Sequence, residues 1–404
     1  MKENLLKNFL KYVSYDTISD PLSGLHPSTT HQFNLAKELI KELEELGCIN
    51  VYLSDKCYCY GEIDANEANH PTIGLMAHMD TAPDMSGANV VPRVIENYDG
   101  NDIVLNEDLN IIMKVSEFPD LKKRIGEKIV VTDGTTLLGA DDKAGIAIIM
   151  EIIKTLKDNP EIKHGKIKIC FTPDEEIGEG ADYVDLERFA CDFAFTYDGA
   201  DEAIINCENF NAASAKVIIQ GANIHPGSAK GKMKNSIMIA NEFDHLLSPF
   251  ARPQFTENYE GFNHLNEISG TVEKTEMKYI IRNHDLDKFA SQKDEFLKAK
   301  KAIDDKYGEG TCTLIIKDTY FNMYNIVATK PEVIERAKNA IRKAGMEPEI
   351  APIRGGTDGA RLTFDGIITP NLGTGGGNYH GKYEYVSIDG MERAVKVGLN
   401  ILTD

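Results

Sequence analysis

Short apolar runs, each stopping at a charged, imidazole or proline side chain, recur along this chain, and they limit its fold more than any other feature. Residues 72–77 run into His78, residues 167–171 into Thr172-Pro173, and residues 192–197 into Asp198; residues 366–369 lead into the glycine-rich stretch 373–377. Runs of this length bounded by turn signals read as buried strands. Helical spacing separates them. Phe33, Ala36, Leu39, Ile40, Leu43 and Leu46 line one face of residues 31–46, with Gly47 as a stop. Residues 145–156 form a dense apolar helix closed by Asn159-Pro160. Strands alternating with helices predict an α/β fold, a mostly parallel sheet with helices on both faces.

The rhythm changes in the middle of the chain. Residues 213–220 read as a strand, 235–247 as a helix, 268–275 and 278–282 as two strands, 286–304 as a charged helix and 311–318 as a strand. That β-α-β-β-α-β order is ferredoxin-like. A helix at 331–345 then resumes the earlier alternation. The chain has 404 residues, past the roughly 250–300 at which single cores stop growing. The expected organisation is one α/β domain, residues 1–207 and 326–404, interrupted by an inserted domain at 208–325.

Charge and composition exclude several classes. A formal net charge of −20 argues against a nucleic-acid partner, which needs a basic surface. No run of about 18 apolar residues exists, so no membrane span is expected. Residues 1–15 alternate lysines with Leu5, Leu6, Phe9, Leu10 and Val13, an amphipathic helix and not a signal peptide. The seven cysteines include no CxxC pair, which fits buried thiols in a reducing compartment. A cytoplasmic protein is expected.

Residues that carry chemistry gather where the predicted strands end: His78 and Asp80, Glu175 and Glu176, Asp198, and His380 beyond the glycine-rich loop, with Asp141 and Asp142 after Leu138-Gly139-Ala140. Open α/β sheets bind ligands outside the carboxyl ends of their strands, so these distant segments can converge. Clustered carboxylates need compensating charge, and two divalent cations supply it. Imidazole plus carboxylate without thiolate suits zinc, with manganese or cobalt also possible. In His78-x-Asp80 the carboxylate can tie down the second imidazole nitrogen of a metal ligand. In Glu175-Glu176 one carboxylate can bind metal while its neighbour serves as general base. Each fragment alone also has an ordinary reading, as a solvated turn, a helix N-cap (Asp142 above all) or a loop histidine. The stretch 373–377 lacks a following Gly-Lys-Ser/Thr, which excludes a phosphate loop.

Taken in order, Met76-Ala77-His78-Met79-Asp80-Thr81, Gly139-Ala140-Asp141-Asp142-Lys143-Ala144-Gly145, Thr172-Pro173-Asp174-Glu175-Glu176-Ile177-Gly178, Tyr197-Asp198-Gly199 and Tyr379-His380-Gly381 resemble the M20 metallopeptidase family, across essentially the whole chain. The resemblance implies a di-zinc aminopeptidase that releases the N-terminal residue from tripeptides. It implies that His78 and Asp198 hold one zinc, that Glu176 and His380 hold the other, and that Asp141 bridges them. Glu175 would be the general base toward the bridging water, and Asp80 would orient His78. The inserted domain would be a lid and the surface of a possible homodimer. His225, in Ile224-His225-Pro226-Gly227, resembles the family's oxyanion-stabilising lid histidine. Asn235, Arg282 and Arg354 are candidate substrate anchors, an Arg being suited to grip a peptide carboxylate. Amidases and deacylases of the family share the same centre, and a non-catalytic binder on this fold would be expected to lack Glu175.

Overall fold

The computed structural model describes all 404 residues. The chain forms two compact units: Met1–Cys207 with Met323–Ala351 and Thr357–Asp404, and Glu208–Asn322 with Pro352–Gly356.

The larger unit is built on an eight-stranded sheet, in the order Ile49–Leu53, Cys59–Ile63, Ile167–Thr172, Ile73–His78, Phe193–Gly199, Asn371–Gly373, Ile204–Asn206 and Glu349–Ile350. The third to sixth strands run parallel, and antiparallel pairs flank them. Period-two alternation sorts their side chains between two cores. Ile73, Leu75, Ala77, Ile169, Phe171, Phe193 and Phe195 pack into the large core with the helices Lys2–Val13, Gln32–Glu45, Ala140–Asp158, Pro331–Lys343 and Ile388–Thr403. Met76, Cys170 and Ala194 face a smaller core with Phe189 and with Leu362 of the helix Asp358–Phe364. Both faces of the central strands are thus covered, which is why they are almost continuously apolar.

Residues 366–369 are not a strand. They run beside Phe193–Gly199, with Ala194 N donating to Ile368 O and Thr196 N to Pro370 O, and the regular strand begins at Asn371. Gly366 sits at φ +106° and Pro370 has no N–H to give, so a ladder cannot form earlier. A further four-stranded sheet (Gly376–Gly377, Tyr385–Ser387, Ile129–Val131, Arg93–Ile95) was not anticipated, because strands of two or three residues carry no readable periodicity.

The smaller unit has the element order Asn211–Gln220, helix Ser236–His245, Phe262–Gly270, Lys274–Asn283, helix Leu286–Tyr307 and Cys312–Tyr320. All three strand pairings are antiparallel, with Asn211–Gln220 inside the sheet. Val217, Ile219, Phe243, Met277, Tyr279 and Phe296 form its core. The hairpin turn lies at residues 271–273 and not at 276–277 as expected. Gly270 ends the first strand, where a Cβ would clash with Thr275.

One buried ion network braces the larger unit. Arg124 Nη1 donates to Glu202 Oε1 at 2.9 Å, and Arg393 Nε donates to the same oxygen at 2.7 Å. Burial alone would raise the Glu202 pKa, but the two guanidinium groups overcome it and hold the carboxyl at about 2. Its folded pKa is therefore depressed. The stability it contributes is present above the unfolded value of about 4.3 and is lost as pH falls toward 2. Glu202→Gln is expected to cost about 3 kcal/mol at neutral pH by removing the buried charge that Arg124 and Arg393 share, and to flatten the fall in Tm between about pH 4.3 and 2. Thermal melts of both proteins across that window check this.

Candidate active site

Every metal-type side chain proposed from the sequence lies in the larger unit; all but Asp141, which opens the helix Ala140–Asp158, end or follow central strands. His78 is the last residue of its strand, paired in register with Thr172 of the next. Asp198 lies at the end of Phe193–Gly199. Glu175 and Glu176 form a single 3-10 turn after Ile167–Thr172. His380 lies beyond the last of the parallel strands, at φ +61°, a conformation uncommon outside glycine. Asp141 and Asp142 have non-helical backbone angles, and the regular helix begins after them. Asp142 Oδ1 accepts from Gly145 N at 3.2 Å and acts as the N-cap. Its Oδ2 accepts from His78 N at 3.1 Å, tying the helix start to the strand end. Gly145 is required at this junction, since a Cβ there would run into the Tyr197 carbonyl and the Asp142 carboxylate.

The geometry is organised around Asp141. Its Oδ1 lies 2.9 Å from His78 Nε2, which is 3.7 Å from Asp198 Oδ1. Its Oδ2 lies 3.3 Å from His380 Nε2, which is 2.9 Å from Glu176 Oε2. One carboxylate thus faces two imidazole–carboxylate pairs, one with each oxygen. His78, Asp141 and Glu176 present ligand atoms within 4.8 Å of one another, as do His78, Asp142 and Asp198. Asp80 is fully buried, and its Oδ1 lies 3.3 Å from His78 Nδ1. The same carboxylate accepts from Glu175 N at 3.0 Å and from Glu176 N at 3.1 Å. Asp80 thus holds both neighbours: its main-chain oxygen lies 3.1 Å from His78 Nδ1, and its carboxylate fixes the Glu175-Glu176 turn.

The electrostatics fit cations. Burial opposes charge on His78, yet Asp141, Asp198 and Asp80 outweigh it and push its pKa well up. Hydrogen bonds to Asp141 and Glu176 push His380 up to about 11. Burial, then the Asp141 charge, moves Glu176 up to about 7. Burial, then Asp198, raises Glu175 well above the usual carboxylate range. So much unbalanced negative charge draws in positive charge. Glu176 Oε1 is buried with no hydrogen-bond partner, as a ligand atom would be. The donor set accommodates two divalent cations, one on each side of Asp141.

Sequence reasoning missed three buried carboxylates. Glu384 accepts from Leu138 N, Gly139 N and Asp141 N at 2.8–2.9 Å and so holds the turn that presents Asp141. Its pKa stands at about 7, because burial outweighs the three donors. Asp358 accepts from Thr172 Oγ1 at 2.7 Å, and burial moves it up to about 7 as well. Asp174 accepts from Ser28 and Gln32. A glutamate between Tyr383 and Tyr385, four residues after His380, was the only signal for Glu384. Glu384→Ala is expected to weaken metal affinity about 10–100-fold, as loss of a supporting hydrogen bond does elsewhere. Competition with a chelator measures this, and an affinity equal to wild type would deny Glu384 that role.

The remaining candidates belong to the smaller unit. His225 is exposed, and its Nδ1 accepts from Gly227 N at 3.1 Å. Asn235 caps the helix Ser236–His245 through Ile237 N at 3.0 Å. Arg282 donates to Ala213 O and Ile281 O and lies over the Tyr320 ring. Arg354 donates to Asn258 O, Glu260 O and Thr256, and stands over Phe210 and Phe262.

A mainly parallel α/β sheet whose strand ends gather histidines and carboxylates around one central aspartate is the framework of a metal-dependent hydrolase. The chain belongs to peptidase family M20/M25/M40, whose model matches residues 132–404. It is 53% identical over 399 residues to a peptidase T of Caldanaerobacter subterraneus subsp. tengcongensis, covering 98% of both chains. It is 52% identical over 401 residues to a peptidase T of Clostridium novyi, covering 99% of this chain and 98% of that one. Among solved structures, the aminopeptidase PepT of Bacillus cereus matches with a TM-score of 0.78 at 23% identity, over 100% of this chain and 98% of that one, a likeness of fold.

Proposed function

We propose that this chain is a metallo-aminopeptidase that removes the N-terminal residue from tripeptides. One observation carries the chemistry: Asp141 directs its two oxygens at two separate imidazole–carboxylate pairs, while none of the cluster's ion pairs includes the neighbouring Glu175. The peptidase T relatives, about half identical along the whole chain, support the substrate class.

On this reading His78 and Asp198 hold one cation, Glu176 and His380 the other, and Asp141 both. Zinc suits these donors best, with manganese or cobalt as substitutes. Bound there, the cations would supply Lewis acidity toward the scissile carbonyl and the attacking water. Glu175 takes a proton from the attacking water and delivers it to the leaving amine. Asp80 positions both His78 and the Glu175 backbone. As the family resemblance implies, His225 of the smaller unit would stabilise the oxyanion, and Asn235, Arg282 and Arg354 would contact substrate. Alanine variants of these four are expected to raise KM or lower kcat; a melting curve separates such an effect from loss of the Asn235 cap.

No helix is long and apolar enough to cross a membrane. All seven cysteines are unpaired, which supports a reducing, cytoplasmic setting. A homodimer through the smaller unit belongs to the same reading, and light scattering on the purified chain checks it.

The deciding experiment compares metal-loaded protein on di-, tri- and tetrapeptides, and on a tripeptide against its N-acetyl form. Preferred release of the first residue from the free-amine tripeptide is expected. Preference for the acetylated form would make the chain a deacylase, and no turnover would leave it a binding protein.

A further inference from the structure

A second group of ligating side chains takes no part in the chemistry above. His26 Nδ1 lies 3.4 Å from Asp174 Oδ2 and 3.7 Å from Glu179 Oε2, and the three ligand atoms fall within 4.8 Å of one another. The His26 ring is only 5% exposed, yet its Nδ1 has no hydrogen-bond partner. These separations exceed the roughly 2.7–3.2 Å of an N–H···O bond. Two donors each about 2.0–2.1 Å from one tetrahedral ion would be about 3.4 Å apart.

The surroundings prepare each donor. His26 Nε2 lies 3.1 Å from Tyr58 Oη, so the other ring nitrogen is tied down, as in metal-ligating histidines. Asp174 Oδ1 accepts from Ser28 Oγ at 2.5 Å and from Gln32 Nε2 at 2.7 Å. Its Oδ2 accepts only from Ser28 N, at 2.6 Å, leaving one lone pair on the side of His26. Glu179 is 47% exposed and gives an ion its way in.

We propose that His26, Asp174 and Glu179 form a further cation site, for a first-row divalent ion such as zinc. One imidazole with two carboxylates suits that class better than magnesium or calcium, which favour all-oxygen shells. Asp174 and Glu179 bracket the Glu175–Ile177 turn, and Glu179 N donates to Asp174 O at 3.0 Å. An ion bound here clasps that turn to the segment around His26. It braces the loop that carries Glu175 and Glu176 without touching substrate.

The test is a zinc titration of the metal-stripped full chain by calorimetry, for wild type, His26→Ala and Glu179→Gln, with melting curves alongside. Each variant is expected to bind one zinc fewer than wild type and to show a smaller zinc-induced rise in Tm. Equal stoichiometry in all three proteins, or loss in only one variant, would overturn the site and leave His26 as a partner of Asp174 alone. A fault in the assignment of the main centre would change all three counts alike, so the two failures are distinguishable.

Discussion

Glu175→Gln is expected to lower kcat about 10²- to 10⁴-fold, the contribution typical of a positioned general base, while metal content stays at the wild-type level. Glutamine keeps the shape of the side chain but cannot accept the proton. The turn should survive, because it is held from outside the side chain: the Glu175 and Glu176 N–H groups both donate to Asp80. Glu175 also stands apart from the two imidazole–carboxylate pairs, so removing its charge subtracts no ligand from either. Steady-state kinetics paired with elemental analysis reads both quantities. Near-normal turnover would move the base elsewhere, and loss of metal would make Glu175 a ligand.

Asp141→Ala should do more damage, and of a different kind. Both of its oxygens are engaged, one beside His78 and the other beside His380. Its removal takes a donor from each pair at once. Uptake at both positions is expected to fail, with a loss in kcat/KM exceeding the about 10–100-fold that follows removal of a merely supporting group. The metal-free protein offers an independent readout. Asp141 is the largest cause of the His380 shift to about 11. A group raised in this way holds its proton while the carboxylate is present, so in the variant His380 should titrate at clearly lower pH. Proton NMR of the imidazole resonances follows this directly. A variant that still bound both cations would end the bridging assignment.

Both variants alter residues that stand out in the sequence pattern. The buried central strands announced themselves because both faces are covered, so their apolar runs are unbroken. His78, Glu176 and Asp198 follow those runs closely, since the carboxyl ends of parallel strands are where a chain turns and opens. The β-α-β-β-α-β order of the smaller unit was equally visible, although its hairpin turn was placed several residues late. Residues 366–369 carry the apolar pattern of a strand yet form none, because Pro370 interrupts the ladder. The sheet containing Ile129–Val131 and Tyr385–Ser387 was invisible, because its strands are too short for any period.

Residue types and local order were determined by sequence alone: which runs are buried, which side chains can ligate, and where Asp142 would cap a helix. Partnership was decided only by the tertiary structure. Glu384 lies 243 positions from Asp141 along the chain, yet it receives that residue's N–H. Asp80 takes up the backbone of Glu175 and Glu176, 95 and 96 positions away. His26 meets Asp174 and Glu179 across a comparable gap. Periodicity and capping act over a few residues, and a one-dimensional reading captures them. A buried carboxylate is satisfied by whichever donors packing brings within about 3 Å, and that depends on how distant strands are laid side by side.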